Sequence, residues 1–355
     1  MDDLRIDSHK LLFHPRRVAD WLDGIPIAPI YFEISPSSLC NHNCRFCGLD
    51  YLRTIKRQLP ESVLNSQFPE MAEAGVKAVM FAGEGEPFIH PGIVSMATTA
   101  KGAGIDVSFT TNGALLTAEK ARALLPVTSW IKVSMNAGTA ASYAAIHRAP
   151  VNDFEAVWRN METALAIRAR STEGAARCTI GFQIVVLPEN RHEITGLARR
   201  VREIGGDYLV LKPYSFGPNI LHDQYRDLAY GNCDDLEAVR ALSTDSFSVI
   251  FRGETLSRLE RSSYPRCLAQ PFWGYIDSTA HWWGCMRHVG EDAFSFGSLA
   301  ENSFREILDS AAYREKIRTV RERYDVSECH RGCRMDAVNT YLQSLLHPSP
   351  HVNFI

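Results

Sequence analysis

Short runs of alternating or continuous apolar residues recur between residues 30 and 213, and stretches with apolar residues at helical spacing separate them. The apolar runs predict strands at Tyr31–Ser35, Ala78–Ala82, Asp106–Thr111, Trp130–Met135, Thr179–Val186 and Tyr208–Lys212. The amphipathic stretches predict helices at 60–75, 91–103, 117–125, 139–169 and 191–204. Strands that alternate with helices in this way indicate an α/β fold with a parallel sheet.

The same patterns divide the chain into four regions. Residues 1–29 precede the first strand, 30–213 carry the alternation, 214–258 bridge to the last region, and 259–355 form that region. Within it, residues 273–284 predict two short strands around a polar turn, and a helix follows near Ser303–Arg323. We therefore expect a large α/β domain, then a small α+β domain whose C-terminal tail folds back through its apolar end.

Composition excludes several classes of protein. The 355 residues are 45% hydrophobic and 22% charged, which is typical of a globular chain. A net charge of −3 provides no basic surface for nucleic acid or for an anionic membrane. The first residues do not form a secretory signal, and no apolar run is long enough to span a bilayer. We expect a cytoplasmic protein with neither nucleic-acid nor membrane partners.

Nine cysteines in such a chain indicate metal or redox chemistry rather than disulfides. Three of them, Cys40, Cys44 and Cys47, lie within eight residues after the first predicted strand. A closed zinc site needs a fourth ligand, and His42 lies inside the first spacing, where binding the same metal would be strained. Three thiolates suit a [4Fe–4S] cluster with one open iron. A distorted zinc site is the alternative.

The second predicted strand runs into a turn of glycines and glutamates, Gly83–Pro87. Together with the Cys-x3-Cys-x2-Cys spacing, this turn resembles the signature of the radical S-adenosylmethionine (SAM) superfamily, apart from the additional Glu84. The resemblance implies a partial (β/α)6 TIM-like barrel over 30–213, with its chemistry at the C-terminal ends of the strands. It also implies that the three cysteines hold a SAM-binding [4Fe–4S] cluster and that SAM is a cofactor.

The resemblance places SAM contacts at the strand ends. Phe46 is expected beside the adenine. The backbone of Gly85 and the carboxylate of Glu86 are expected at the SAM ammonium group, because a glycine lets backbone carbonyls approach closely. Ser134 and Asn136 are expected at the SAM carboxylate and ribose. The remaining residues assigned to SAM on this basis are Thr111, Asn112, Gln183 and Val185.

Four further assignments at the strand ends are less specific. Arg148 suits the SAM carboxylate, because a guanidinium can hold a carboxylate with two parallel hydrogen bonds. A solvated charge at a helix end is the alternative for this residue. Polar groups that point at the expected cavity make Glu84, Lys212 and Tyr214 candidates for substrate contact.

A second group of cysteines lies in the last quarter of the chain, at Cys267, Cys285, Cys329 and Cys333. This layout resembles the twitch module, a shortened form of the SPASM extension of radical SAM enzymes. The resemblance implies one auxiliary [4Fe–4S] cluster, which makes two clusters in all. Because four thiolates leave no open iron, the auxiliary cluster would carry electrons rather than bind substrate. A structural zinc site with the same four ligands is the alternative.

The function implied by the resemblance is reductive cleavage of SAM to a 5′-deoxyadenosyl radical, which abstracts a hydrogen from the substrate. The expected substrate is a small sugar-, aminocyclitol- or nucleoside-like molecule that is oxidised, epimerised or decarboxylated in natural-product (antibiotic) biosynthesis. The expected reductant is an external one-electron donor of the flavodoxin or ferredoxin type. For an epimerase, Cys233 or Cys178 is a candidate hydrogen donor, with a buried structural cysteine as the alternative for either.

Two other functions compete with this one. A maturase of ribosomal peptides carries similar extensions, often with a leader-binding module of about 80 residues ahead of the barrel. Only 29 residues precede the first strand here, which favours a small molecule. An iron–sulfur protein that transfers electrons or senses redox state is the non-enzymatic alternative. The glycine-rich turn and the Ser134 and Asn136 strand end argue against it, because an electron carrier needs no site for an amino acid.

Overall fold

The computed structural model describes residues 4–170, 178–217, 219–257, 264–329 and 332–354. Within these residues the strands are β1 Tyr31–Ile34, β2 Ala78–Phe81, β3 Asp106–Thr111, β4 Thr128–Ser134, β5 Thr179–Val186, β6 Tyr208–Pro213, β7 Ser248–Phe251, β8 Trp273–Ile276, β9 His281–Trp283 and β10 Ser295–Ser298. They form one sheet in the order β10-β9-β8-β1-β2-β3-β4-β5-β6-β7.

Helices connect and cover the strands. Their bounds are α1 Pro15–Leu22, α2 Glu61–Glu73, α3 Ile93–Gly102, α4 Ala118–Leu124, α5 Ala140–His147, α6 Asp153–Arg170, α7 Ile194–Glu203, α8 Asp234–Ala238, α9 Gly253–Ser257, α10 Phe304–Asp309, α11 Ala311–Arg323 and α12 Asp336–Leu346. The predicted helix 139–169 is two helices. Arg148 ends α5 in the left-handed conformation, with φ 46°, and Pro150 follows shortly after.

The predicted alternation of strands and helices is confirmed, and the partial barrel has more strands than expected. β1 to β6 are parallel neighbours, β7 extends them beside β6, and β8 pairs in parallel with β1 on the other side. The segment 214–258 therefore contributes a strand to the barrel sheet. The C-terminal region also joins that sheet, through the predicted hairpin, whose strands β8 and β9 are antiparallel.

The two faces of the sheet have different environments, because side chains of a strand alternate between them. On β1, Phe32 and Ile34 are fully buried against the helices. Glu33 and its neighbours at alternate positions face the interior of the barrel. Polar residues of the central strands therefore converge on the interior, and the strand ends open onto it.

The N-terminal residues pack against the barrel rather than extending from it. Ile6 contacts the cluster formed by Tyr208, Val210 and Ile250 on β6 and β7. Asp7 accepts hydrogen bonds from the backbone N–H groups of Glu254 and Thr255 at 2.8 and 3.2 Å. At the other end of the chain the apolar residues do not fold back as expected, since Val352 and Phe354 are exposed. No helix in the described part of the chain is long and apolar enough to cross a membrane.

Candidate active site and metal centres

The loop after β1 carries the first three cysteines and is held in place by the end of α5. The backbone N–H groups of Asn43 and Arg45 donate to the carbonyl oxygens of His147 and Ile146 at 3.0 and 2.9 Å. The N–H of Cys47 donates to the carbonyl of Cys44 at 3.1 Å, which closes a tight turn. The loop conformation therefore depends on the β4–α5 region as well as on its own sequence.

Cys40, Cys44 and Cys47 lie close enough for their thiols to affect one another's pKa. Burial raises the pKa of the Cys44 thiol well above its usual value, and the thiols of Cys47 and Cys40 raise it further. Burial raises the pKa of Cys40 to about 11, with Glu86 as the next contribution. Buried thiolates that repel each other need a multivalent cation to stay ionised. This donor set fits an iron–sulfur cluster, and the assignment of the three cysteines as its ligands remains a prediction.

Two histidines lie beside Cys44, and one of them was missed by the sequence analysis. Candidate ligand atoms of His42, Cys44 and His147 lie within 4.8 Å of one another. Nε2 of His42 is 2.9 Å from Oδ2 of Asp153, and Nδ1 of His147 is 3.2 Å from the Cys44 sulfur. Burial lowers the pKa of His147 to about 3, so that its ring is neutral. His147 therefore acts on the first centre as a neighbour of a thiol ligand.

The glycine–glutamate turn after β2 touches the cysteine loop directly. A Cβ atom on Gly85 would lie 2.1 Å from the carbonyl oxygen of Leu39, so only glycine fits. The N–H of Glu86 donates to the same carbonyl at 2.8 Å. The side-chain amide of Asn112, at the end of β3, donates to Oδ1 of Asn41 at 2.8 Å. The two motifs and the β3 end thus form one assembly around the cysteines.

The carboxylate of Glu86 organises the ends of β2 and β3. Oε1 accepts from Phe88 N–H at 3.1 Å and from the Thr111 hydroxyl at 2.6 Å, and Oε2 accepts from Asn112 N–H at 2.8 Å. Burial raises the pKa of Glu86, while these hydrogen bonds lower it. Each carboxylate oxygen can accept two hydrogen bonds. Oε2 therefore keeps one position for a further donor, such as the ammonium group of an amino acid.

The ends of β4 and β5 are joined through Asn136, which is fully buried and has φ 54°. Its Nδ2 donates to Ser134 Oγ at 2.9 Å, and its Oδ1 accepts from Val185 N–H at 2.8 Å. Its carbonyl accepts from the side chain of Asn190 at 2.8 Å. The backbone of Gln183 accepts from Met135 N–H at 3.0 Å. The structure thus brings these four predicted residues together, and Asn190, which was missed, fixes them.

Of the other two residues assigned to SAM, Phe46 packs in an apolar cluster and Arg148 lies at the surface. Phe46 packs against a small apolar cluster that includes Val185 and Tyr214, and its position beside the adenine remains a prediction. Arg148 is exposed, and its Nη1 lies 2.6 Å from Nε2 of His222. The structure therefore favours the solvated alternative for Arg148. The hydroxyl of Tyr214 is buried and has no hydrogen-bond partner among the described residues, which leaves it available for a ligand.

Glu84 has another role than the predicted substrate contact. Its Oε2 accepts from Ser278 Oγ at 2.6 Å, and its Oε1 accepts from Ser278 N–H at 3.2 Å and from Tyr275 O–H at 3.3 Å. Glu84 is 3% exposed. Because both oxygens are engaged with the β8–β9 hairpin, Glu84 links the motif turn to the C-terminal region. The additional glutamate of Gly83–Pro87 is thus explained by packing of the two regions.

The two candidate hydrogen donors do not lie with the other site residues. Cys178 is buried in the apolar core just before β5, at the end of the strand opposite to Val185. Cys233 precedes α8 and packs partly on the helix side of the sheet, with its sulfur 3.6 Å from the carbonyl of Gly231. The structure supports the alternative of a structural cysteine for both.

The last four cysteines form a second centre. Burial raises the pKa of Cys333 well above its usual value, and Cys329, Cys285 and Cys267 raise it further, so the four thiols lie in one neighbourhood. Burial also raises the pKa of Cys285 to about 12. The Met335 N–H donates to the Cys333 sulfur at 3.4 Å, which is typical of iron–sulfur ligands. This donor set also fits an iron–sulfur cluster.

Asn339 on α12 anchors the second centre and was missed by the sequence analysis. Its Oδ1 accepts from the N–H groups of Leu268 and Ala269 at 2.6 and 2.9 Å, and its Nδ2 lies 3.9 Å from the Cys267 sulfur. Asn339 is 1% exposed. It therefore fixes the first cysteine of this centre to the helix that follows the last one. An asparagine six residues beyond a cysteine pair carries no signal of its own in the sequence.

Comparison with known proteins agrees with this geometry. Residues 34–201 match the model of the radical SAM superfamily, and residues 267–334 match the model of the SPASM iron–sulfur cluster-binding domain. The protein is therefore a radical SAM enzyme that uses SAM and [4Fe–4S] clusters. The residues matched include all seven cysteines assigned to the two centres.

The individual proteins that this chain resembles share little sequence identity with it. The structure of SuiB from Streptococcus suis bound to SAM has a TM-score of 0.64 and 16% identity, over 96% of this chain and 80% of that chain. The structure of anSMEcpe with AdoMet and a peptide has a TM-score of 0.58 and 17% identity, over 82% and 83%. A curated relative from Pyrococcus furiosus, the tungsten-containing aldehyde ferredoxin oxidoreductase cofactor-modifying protein, is 24% identical over 59% of this chain. This match spans 57% of that relative.

Proposed function

We propose that this radical SAM enzyme abstracts a hydrogen atom from a residue of a peptide. The observation that carries the proposal is the similarity of 96% of the chain to SuiB, which has been crystallised with its precursor peptide SuiA. The second similar structure, anSMEcpe, also contains a peptide. Both favour a peptide over the sugar-like substrate expected from the sequence, because both combine a radical SAM barrel with a peptide ligand.

When bound by Cys40, Cys44 and Cys47, a [4Fe–4S] cluster supplies the electron for reductive cleavage of SAM. The residues of this chain orient SAM for that step. Oε2 of Glu86, which accepts one hydrogen bond from Asn112 N–H, would accept a second from the SAM ammonium. Phe46 packs on the adenine. Fixing SAM in this way brings its reactive carbon close to the substrate, which contributes strongly to the rate.

Ser134 and Asn136 complete the SAM site in this proposal. Asn136 is held by Val185 and Asn190, so its position is set before SAM binds. The hydroxyl of Ser134, which accepts from Asn136 Nδ2, can donate its own proton to the SAM carboxylate. A preorganised donor loses little entropy on binding, and its interaction with SAM is correspondingly stronger.

Four cysteines at the second centre support one auxiliary [4Fe–4S] cluster, so we propose two clusters per chain. Full ligation by Cys267, Cys285, Cys329 and Cys333 suits electron transfer to or from the substrate. The proposed external electron donor is of the flavodoxin or ferredoxin type.

A small anionic molecule is the second candidate substrate. The observation that favours it is a pair of lysines, Lys132 and Lys212, on the interior face of β4 and β6. A sugar or nucleoside that carries a phosphate or carboxylate would place that group on them. Oxidation, epimerisation or decarboxylation would then follow, as the sequence analysis expects.

The two candidates can be separated by isotope transfer. The enzyme is purified and reconstituted without oxygen, reduced with dithionite, and given SAM with either a fully deuterated peptide mixture or deuterated sugar phosphates. Mass spectrometry then measures deuterium in 5′-deoxyadenosine. Deuterium from the peptides alone supports the proposal, and deuterium from the sugar phosphates alone refutes it. Cys44→Ala should abolish 5′-deoxyadenosine formation, and Cys178→Ala, a cysteine outside both centres, should retain it.

A further inference from the structure

Two lysines point into the interior of the barrel. On β4, Ile131 and Val133 are fully buried against the helices, so Lys132 between them faces the interior. On β6, Leu209 and Leu211 are fully buried on the helix side, so Lys212 also faces the interior. Both lysines are only partly buried. Lysine is seldom placed on the interior face of a barrel strand without a partner, because burial of its charge is costly.

The acidic groups near these lysines are engaged elsewhere. Glu33, on the interior face of β1, forms an ion pair with Arg334. Asp7 lies 3.5 Å from Arg252, which follows β7, and also accepts from the backbone of α9. Among the described residues, no carboxylate lies within ion-pair distance of Nζ of Lys132 or of Lys212. The interior therefore carries an excess of positive charge.

The positive charges in this interior act on one another. Burial lowers the pKa of Lys132 to about 8, Arg334 and Arg252 lower it further, and Glu33, which is paired with Arg334, has a smaller opposing effect. Burial also lowers the pKa of Lys212 well below its usual value, followed by Arg252, Lys132, Arg334 and Arg287. An anion placed among these groups would relieve the repulsion and keep both lysines protonated.

The lysines also lie beside the residues assigned to SAM. Lys212 pairs across the sheet with Val185, which packs on Phe46. Lys132 is two residues before Ser134 on the same face of β4, and its Nζ lies 5.6 Å from the centre of the Trp130 ring. A group bound by the lysines would therefore lie next to the residues assigned to SAM.

We propose that Lys132 and Lys212 form a subsite inside the barrel for an anionic group of the substrate, a carboxylate or a phosphate. This inference rests on the proposed function and specifies its substrate class. For a peptide, the group is the side-chain carboxylate of an aspartate or glutamate residue. For a small molecule, it is a phosphate or a carboxylate.

The experiment measures binding of two simple anions, glutarate and glycerol 3-phosphate, to the reconstituted enzyme by isothermal titration calorimetry. Saturating SAM without reductant occupies the open iron, so that the anions cannot bind there. Lys132→Gln and Lys212→Gln should each weaken binding by roughly 10- to 100-fold, the loss expected for one charged hydrogen bond. Lys212→Arg should retain most of the affinity. The matched control is Lys101→Gln, which removes a surface lysine paired with Asp106 and should leave binding unchanged.

A second measurement needs no variant. Isotope-coded acetylation followed by mass spectrometry compares the reactivity of each lysine at constant ionic strength, with and without the anion. Protection of Lys132 and Lys212 but not of Lys101 supports the subsite. A stronger effect of glutarate indicates an acidic peptide residue, and a stronger effect of glycerol 3-phosphate indicates a phosphorylated small molecule. Failure of both anions to bind or to protect the two lysines would overturn the inference.

Failure of the subsite can be told from failure of the proposed function. Formation of 5′-deoxyadenosine without substrate depends on the SAM site, so it is measured in both glutamine variants to report the state of that site. If the variants cleave SAM and bind both anions as the wild type does, the subsite is wrong and the radical SAM function stands. If the subsite is confirmed and deuterium comes only from sugar phosphates, the peptide proposal is wrong and the subsite stands.

Discussion

Replacement of Gly85 by alanine tests the first metal centre independently of the second. Gly85 lies where the turn after β2 meets the cysteine loop, and Cys40 directly follows Leu39. A Cβ atom at position 85 would lie 2.1 Å from the Leu39 carbonyl oxygen and 2.6 Å from that of Ser37. Both neighbours are backbone atoms, so no side chain can rotate away. We expect Gly85→Ala to prevent assembly of the first cluster and to leave the second intact.

The size of the displacement follows from these distances. Real Cβ atoms essentially never approach another atom within 3.0 Å, so the Leu39 carbonyl must move by about 0.9 Å from its position at 2.1 Å. That movement also stretches the hydrogen bond it accepts from Glu86 N–H at 2.8 Å. Metal sites tolerate deviations of about 0.2 Å in ligand distances. Overpacking of this kind costs about 1–3 kcal/mol, which a whole domain survives.

The assay measures iron and sulfide per chain after anaerobic reconstitution, together with SAM affinity by calorimetry. Gly85→Ala should hold about half the iron of the wild type and should lose SAM binding. The control is Gly196→Ala on α7, because nothing lies within 4 Å of its added Cβ and alanine favours a helix. Full iron content and unchanged SAM affinity in Gly85→Ala would refute the assignment of the turn to the first centre.

Three further predictions test other parts of the structure. Thr111→Val removes the 2.6 Å hydrogen bond to Glu86, at a cost of about 1.5–3 kcal/mol, and should weaken SAM binding in calorimetry; an unchanged affinity would contradict the role of Glu86. Asn339→Ala leaves two buried N–H groups unpaired and should reduce the iron content of the second centre only. Iron analysis in a Cys44→Ala background, which removes a ligand of the first centre, measures this loss. Burial lowers the pKa of Lys132 to about 8, below its unfolded value of about 10.4. The unfolded chain therefore binds more protons between these two values, and stability rises with pH there. Lys132→Gln should flatten the rise of Tm between about pH 8 and 10, and an identical pH profile would refute the lowered pKa of Lys132.

The metal ligands and the six central strands could be predicted from local patterns. Cysteine spacing is a local property, and the thiols of Cys40, Cys44 and Cys47 meet because the loop between them is short. Alternation of apolar runs with amphipathic stretches is also local. The residues assigned to SAM lie near one another for a topological reason, since the C-terminal ends of parallel strands lie at one edge of the sheet; their contacts with SAM remain a prediction.

The features that were missed depend on contacts between distant parts of the chain. β7 lies in the segment 214–258, where no strand was predicted, and the predicted strand β8 pairs with β1, which is distant in the sequence. Glu84 was assigned to the substrate because its partner Ser278 lies in another region of the sequence. His147 and Asn339 are single polar residues on helices, whose role is set by the cysteine loops that pack against them.

The pairing of β8 with β1 has a consequence for synthesis of the protein. β1 leads into the first cysteine loop, yet one of its two neighbours, Trp273–Ile276, is made only after the rest of the barrel. Until then β1 is an edge strand with unpaired N–H and C=O groups, which can pair with other chains. A nascent or truncated chain that ends before β8 is therefore exposed to aggregation at the strand that carries the first metal centre. Expression with the complete C-terminal region, and early supply of iron and sulfide, should protect against this loss.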